Sequence, residues 1–127
     1  MAPAIEIKEA HFPDRAPIEK YGEGGFVFNN FVHHGIITCL PSGIYALPDE
    51  GQGLSAQMLE PILKEAEAID LLILGTGLLR KEISAEISQL LKKNQIPIEI
   101  MSTGAAVRSF NVLLAEERAV AAIFYPI

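Results

Sequence analysis

The sequence predicts an α/β protein whose amino-terminal half is rich in β structure and whose second half follows the order α-β-α-β-α-β. Short β-prone runs separated by Gly, Pro and Asn occupy the first half, a pattern typical of strands joined by hairpins. From Ser55 onward the apolar residues recur with a helical period. Two later apolar runs of strand length each end in a turn that contains Thr and Gly.

The first half contains three predicted strands and two recognisable turns. Asn29-Asn30 and Pro41-Ser42-Gly43 supply residues that tolerate a positive φ, as tight turns require. A further strand around residues 5–7 fits the same composition. The three main runs cover residues 25–30, 35–40 and 43–47.

Three helices are predicted in the second half. Ser55 is a candidate N-cap for the first of them. Pro61 lies too far from that cap for the first helical position, and proline cannot donate a helical hydrogen bond, so we expect a kink or a new start near Glu60. The apolar face of the first helix runs from Leu54 to Ala66, and the other two helices are expected at about residues 82–93 and 103–116.

Three strands alternate with these helices, at residues 70–74, 96–100 and 119–125. The first of them is apolar without alternation, as a strand covered on both faces should be. We therefore expect it to lie at the centre of the sheet.

Length and composition favour one globular domain spanning residues 1–127. Half of the residues are apolar and a fifth are charged, which is neither a disordered nor a low-complexity composition. The net charge of −6 argues against nucleic acid as a partner, because binding phosphates needs a concentrated basic face. The apolar runs are shorter than the roughly 20 residues that span a bilayer, so no transmembrane segment is expected.

Cys39 lies inside an apolar run and has no second cysteine to pair with. A buried thiol is expected, which fits a reducing compartment better than a secreted, disulfide-linked domain. We expect a cytoplasmic protein, with peripheral contact at the inner membrane as the open alternative.

The two Thr/Gly turns are the candidate small-ligand site. Carboxyl ends of adjacent parallel strands lie side by side, and ligands of open α/β sheets bind there. The unpaired N–H groups at the start of the third helix would suit an anion, with Arg80 as a further charge partner. The candidate lining is Gly75, Thr76, Gly77, Ser102, Thr103, Gly104 and Arg108.

The same turns have an architectural interpretation. Ser102 or Thr103 would cap the third helix by accepting a hydrogen bond from a backbone N–H one turn on. Asn111 lies among apolar neighbours, where a structural hydrogen-bond role is favoured over ligand contact. The sequence from Gly75 begins like a dinucleotide fingerprint but has Arg80 at the place of the third glycine. No cofactor is therefore expected.

Metal and nucleophile chemistry find little support. His33 and His34 are neighbours, and adjacent side chains of a strand point to opposite faces, so the two cannot readily chelate one ion, even with His11 as a third ligand. Cys39 lies in a predicted strand rather than at an electropositive helix start. We therefore assign no metal site and no catalytic residue, and a non-enzymatic role is favoured although an enzyme stays open.

The string MSTGAAVRSFNVLLAEER at residues 101–118, followed by Val120-Ala121-Ala122, resembles the carboxyl-terminal signature of a family of small α/β proteins that includes the mitochondrial complex I assembly factor 3. The resemblance extends to residues 70–77, 21–26 and 35–41. It implies a three-layer fold around a central mixed β-sheet. It supplies no catalytic residue, because most members have no known biochemical activity.

The resemblance implies a non-enzymatic assembly or chaperone-like factor with protein partners, membrane-complex subunits among the candidates. The alternative is a small-ligand protein or enzyme that binds an anion or nucleotide at the two turns. A homodimer is also open, and exposed aromatic side chains would favour that or another protein contact. The candidate aromatics are Phe26, Phe28, Phe31 and Tyr45.

Overall fold

A computed structural model describes residues 5–6, 11–49, 51 and 53–127. Its strands are β1 (Ile5–Glu6), β2 (His11–Phe12), β3 (Lys20–Gly22), β4 (Gly25–Phe28), β5 (Phe31–His34), β6 (Ile36–Leu40), β7 (Gly43–Leu47), β8 (Leu71–Gly75), β9 (Ile98–Met101) and β10 (Val120–Phe124). Its α-helices are α1 (Glu60–Lys64), α2 (Ala85–Lys93) and α3 (Thr103–Ala115). Ile7, at the end of the first predicted strand, lies outside the described residues.

The main sheet has the strand order β2-β7-β6-β10-β8-β9. Its second half is parallel, with β8 between β10 and β9, whereas β10 pairs antiparallel with β6. The prediction that the strand at 70–74 forms the centre of the sheet is wrong, because β6 and β10 lie there and β8 is next to the edge. The last strand of the chain inserts between the hairpin half and the parallel half, a long-range pairing that local patterning does not reveal.

A second, smaller sheet has the order β1-β5-β4-β3. Asn29 and Asn30 connect β4 to β5 with φ angles of 47° and 65°, so the predicted turn is confirmed. Strands β3 and β5 were not predicted. Strand β5 carries His33 and His34, which weaken its apolar pattern, but it is held by full antiparallel pairing with β4.

Side chains on the two faces of the main sheet form two separate cores. On one face, alternate residues of β6, β8 and β10 pack with α3 and with Phe26 and Phe28 of the small sheet. On the other face, the intervening residues pack with α1 and α2. The α/β fold class and the three-layer arrangement around a mixed sheet are thus confirmed.

The helices differ from expectation mainly at their starts. A 3₁₀ turn at Gln57–Leu59 precedes α1, and Pro61 lies in the first turn of α1, so the predicted new start near Glu60 is confirmed. Helix α2 begins three residues later than predicted because the Ser84 hydroxyl accepts a hydrogen bond from the Ile87 N–H. Helix α3 ends one residue before the predicted limit.

Cys39 lies on β6 in the core between the main sheet and α3. Burial raises the pKa of its thiol far above the usual value, so the thiol stays protonated at neutral pH. Among the described residues, no helix is long and apolar enough to cross a membrane.

Candidate functional site

The two Thr/Gly turns lie next to each other at the carboxyl ends of β8 and β9. The register pairs Gly75 with Met101, and the Thr76 N–H donates to the Met101 carbonyl at 3.0 Å. Gly75 is the last residue of β8 rather than part of the turn. The parallel pairing therefore brings together the two segments that the sequence places 25 residues apart.

Thr103 joins these two turns to the last strand. Its N–H donates to the Gly77 carbonyl at 2.8 Å, and its hydroxyl accepts from the Gly77 N–H at 2.8 Å. The same hydroxyl donates to the Tyr125 carbonyl at 2.7 Å. Thr103 is fully buried, and both hydrogen-bonding functions of its hydroxyl are used. It therefore holds the end of β8, the start of α3 and the end of β10 together.

Close packing accompanies these hydrogen bonds. A Cβ atom on Gly75 would come within 2.9 Å of the Thr103 Cα and 3.0 Å of the Ala106 Cβ. The absence of a side chain at Gly75 thus lets α3 approach β8. In the first turn of α3, a Cβ on Gly104 would meet the Tyr21 hydroxyl at 2.8 Å. The Tyr21 ring therefore covers this turn of the helix.

The prediction that the Ser102 or Thr103 hydroxyl caps α3 with a hydrogen bond is wrong. Ser102 occupies the N-cap position, but its side chain makes no capping hydrogen bond, and the Thr103 hydroxyl is bonded to Gly77 and Tyr125 instead. The Ala106 N–H donates to the Ser102 carbonyl at 2.9 Å, which closes the first helical turn through the backbone. The tertiary partners of Thr103 lie too far along the chain for a local capping rule to include them.

The two arginines do not meet at this site. Arg108 is exposed on α3. The Arg80 Nε donates to the Ile100 carbonyl at 3.1 Å, and its guanidinium forms an ion pair with Glu82. Arg80 is thus bound at β9 rather than at the start of α3. The predicted ligand lining of Gly75, Thr76, Gly77, Ser102, Thr103, Gly104 and Arg108 is therefore only partly assembled in one place.

Asn111 connects α3 to the segment before β3. Its side-chain oxygen accepts from the Ile18 N–H at 2.9 Å, and its amide donates to the Ile18 carbonyl at 2.9 Å. One amide thus satisfies both backbone groups of a residue 93 positions away.

A cavity of about 390 Å³ lies at the carboxyl end of β8, on the side of α2. Among the described residues that line it, Thr76 alone belongs to the predicted ligand set. Burial and the nearby Asp49 carboxylate raise the pKa of Tyr125 to about 12, so its phenol stays protonated. The lining comprises Asp49, Gly51, Gly53, Leu54, Leu74, Thr76, Lys81, Glu82, Ile83, Ser84 and Tyr125.

The turn after β8 has an apolar surface that the sequence analysis missed. The Thr76 hydroxyl donates to the Leu79 carbonyl at 2.7 Å and accepts from the Lys81 N–H at 2.9 Å. These bonds fold residues 76–81 into a compact loop that points two leucines outward. Leu78 is 76% exposed and Leu79 is 73% exposed. Two leucines between a glycine and a run of charged residues, outside any amphipathic helix, were the available signal.

The aromatic and histidine side chains lie differently from the expected interface. Phe26 and Phe28 are fully buried in the core, so these two side chains do not meet the condition of exposure under which they would favour a homodimer or another protein contact. Phe31 and Tyr45 are half-buried. On β5, His33 is buried and His34 is exposed, and the described residues contain no cluster of three His, Cys, Asp or Glu side chains that could hold a metal.

Three known proteins illustrate what the chain resembles. It is 31% identical to the Danio rerio protein named NADH dehydrogenase (ubiquinone) 1 alpha subcomplex assembly factor 3, over 97% of this chain and 71% of that protein. It is 34% identical to an uncharacterised Rhodobacter capsulatus protein, over 94% and 91%. A crystal structure of a Bartonella henselae protein, named an outer membrane protein, superposes with a TM-score of 0.88 at 46% identity, over 91% and 98%.

Residues 18–125 match the family described as "Protein of unknown function (DUF498/DUF598)". This match covers most of the chain, including β8, β9 and α3, which carry the two Thr/Gly turns. The resemblance inferred from the residues is confirmed, since the relatives include proteins named complex I assembly factor 3. The chain therefore belongs to this family of small α/β proteins, which includes that assembly factor.

Proposed function

We propose that the protein is a non-enzymatic assembly factor that binds other proteins through the loop at residues 76–81. The observation that carries the proposal is the exposure of Leu78 and Leu79, adjacent on one loop. Burying an exposed leucine side chain in a partner contributes about 1.5–3 kcal/mol. A contiguous exposed apolar patch, unlike a single scattered side chain, marks an interaction site.

The loop presents these leucines in a defined conformation. The Thr76 hydroxyl bonds to both Leu79 and Lys81, while Arg80 bonds to β9. A loop already ordered in the free protein loses less conformational entropy when a partner binds. The hydrogen bonds of Thr76 therefore support a contact function for Leu78 and Leu79.

The named relatives supply the direction of the proposal. Three relatives in Danio rerio, Rattus norvegicus and Xenopus tropicalis are named as complex I assembly factor 3. We infer that this chain contacts subunits of a membrane complex during their assembly, from the cytoplasmic side of the inner membrane. The partners are proteins, and the net charge of −6 disfavours nucleic acid.

Affinity capture from the native cells under mild detergent tests the proposal. The wild-type protein is compared with Leu78→Asp/Leu79→Asp and with Val112→Asp, a control at an exposed apolar position on α3. The double variant is expected to lose the membrane-complex subunits that the wild type and the control retain. Equal recovery by all three proteins would contradict the proposal.

The cavity beside Thr76 favours a second candidate, a small-molecule binding role. Lys81 and the start of α2 border a space of about 390 Å³, large enough for a small anion or part of a nucleotide. A titration with inorganic phosphate and with ATP, followed by amide chemical shifts, tests this role. Saturable shifts at Lys81 and Ser84 would support a ligand in the cavity, and shifts at Ser102 and Arg108 would support the turn itself. The absence of both would exclude these probes as ligands.

A further inference from the structure

Strand β9 forms one edge of the main sheet, with β8 as its neighbour among the described strands. The Leu72 N–H donates to the Pro97 carbonyl and the Thr76 N–H to the Met101 carbonyl. Backbone groups of a strand alternate in direction, so residues 97, 99 and 101 face β8. The N–H and C=O groups of Ile98 and Ile100 consequently point away from β8, along the open edge.

The loop at residues 76–81 covers this edge only weakly. The Arg80 Nε donates to the outward carbonyl of Ile100. The Arg80 side chain is 51% exposed and its ion-pair partner Glu82 is 73% exposed. Exposed ion pairs of this kind contribute little to stability. An incoming strand could therefore displace the Arg80 contact at low cost.

Arg80 links the exposed leucines to the open edge of β9. Arg80 follows Leu78 and Leu79 directly in the chain and bonds to β9. A strand that pairs with Ile98 and Ile100 would pass next to these leucines. The surface thus offers backbone hydrogen bonds and apolar contact together, the combination by which strand addition recognises extended peptides.

We propose that β9 accepts an extended segment of a partner protein as a seventh strand of the main sheet, and that this segment carries a basic residue opposite Glu99. The inference rests on the proposed protein-contact function and specifies its mode. Glu99 is exposed, and it points to the face opposite Ile98 and Ile100, which pack toward α2. Opposite charges directly across two strands stabilise their pairing.

The charge of Glu99 also favours such a partner over a second copy of the same chain. Antiparallel pairing of two β9 strands that brings Ile98 of one against Ile100 of the other places Glu99 opposite Glu99. Like charges in that position are destabilising, and each chain already carries a net charge of −6. Glu99 therefore favours a partner segment with a basic residue opposite it.

A blocked peptide of alternating valine and lysine, about six residues long as strands commonly are, is the probe. Its apolar and basic faces match the two faces of β9. Binding is followed by amide hydrogen exchange of the intact protein. At a peptide concentration about nine times Kd, exchange of the outward Ile98 and Ile100 amides is expected to slow about tenfold beyond the free protein.

Two controls separate strand pairing from simple charge attraction. A fully N-methylated version of the peptide keeps its charges, but its methyl groups prevent its backbone from approaching β9 to hydrogen-bond distance, so it is expected to leave both amides unchanged. Glu99→Lys is expected to transfer the preference to the matching valine and glutamate peptide. Arg80→Ala, which frees the Ile100 carbonyl, should bind the lysine peptide several-fold more tightly.

Equal protection by the N-methylated peptide, or no protection by the lysine peptide in the wild type and Arg80→Ala, would overturn strand addition. Such a result leaves the proposed function testable by itself. If capture of subunits still depends on Leu78 and Leu79, the contact function holds and only the pairing mode fails. If capture does not depend on these leucines, the contact function itself fails.

Discussion

The turn after β8 and the turn before α3 both contain a threonine beside glycine, yet the structure uses the two threonines in opposite ways. Thr103 is fully buried, and its hydroxyl binds residues of two other segments. The shorter hydrogen bonds of the Thr76 hydroxyl stay within its own loop, to Leu79 and Lys81, beside a longer contact of 3.3 Å to the Met101 carbonyl, and this loop exposes two leucines. Similar turn sequences can therefore be structural at one strand end and available for binding at the next.

The largest stability effect should follow removal of the Thr103 hydroxyl. Thr103→Val leaves the Gly77 N–H and the Tyr125 carbonyl without this partner, at a cost of about 1–3 kcal/mol for each buried group. Urea denaturation should show this loss, whereas Thr76→Val, in a half-exposed loop, should cost about 1 kcal/mol or less. Equal losses in the two variants would contradict the distinction between the turns.

Alanine substitution at two glycines of the same junction should change the stability of the protein in opposite directions. Gly75→Ala directs a Cβ toward the backbone of Thr103 at 2.9 Å, and overpacking of this kind costs about 1–3 kcal/mol. Gly104→Ala meets only the end of the Tyr21 side chain, which can rotate away, while alanine in a helix gains about 0.5–1 kcal/mol over glycine. Thermal denaturation of both variants checks this. A destabilised Gly104→Ala protein would show that Tyr21 is fixed over α3.

The folded protein should lose stability at high pH because the Cys39 thiol is buried in the core between the main sheet and α3. The folded state raises the pKa of this thiol above its unfolded value of about 8.5. The unfolded chain therefore releases the proton first, and stability falls as pH rises above about 8.5, by up to about 1.4 kcal/mol per pH unit. Denaturation at pH 7.5 and 9.5 measures the fall. Cys39→Ala should remove this component, and an unchanged slope in that variant would assign the pH dependence elsewhere.

The smallest stability effect is expected at the exposed leucines. Leu78→Asp/Leu79→Asp should change the free energy of unfolding by no more than about 0.5 kcal/mol for each substitution, because exposed side chains contribute little to the core. The same substitutions should abolish partner capture. A large loss of stability in urea would mean that the leucines support the fold rather than a partner.

Features with a local cause could be predicted from the sequence. Helix α3 was located by Ser102 at its start and by the apolar period that follows. The β4–β5 turn was located by Asn29-Asn30, and the α1 start by Pro61. The carboxyl ends of β8 and β9 were correctly expected to be neighbours, since helices separate the two strands.

Features with a distant cause could not be predicted in the same way. The Thr103 hydroxyl bonds to Tyr125, which is 22 residues away, and β10 reaches the centre of the sheet by pairing with β6. Exposure of Leu78 and Leu79 depends on the Thr76 hydrogen bonds rather than on the hydropathy of the loop. The sequence also could not show that Arg80 bonds to β9 and that Arg108 is exposed on α3, so ligand binding at the two turns stays a prediction.

A photo-crosslinking amino acid placed at Leu79 or at Arg108 shows whether the loop after β8 contacts a partner protein in the cell. Both positions are exposed. Position 79 lies in the loop after β8, and position 108 lies on helix α3. In living cells, position 79 is predicted to crosslink to a defined membrane-complex subunit, and position 108 is predicted to give no such product. Crosslinking of that subunit from position 108 but not from position 79 would contradict the account.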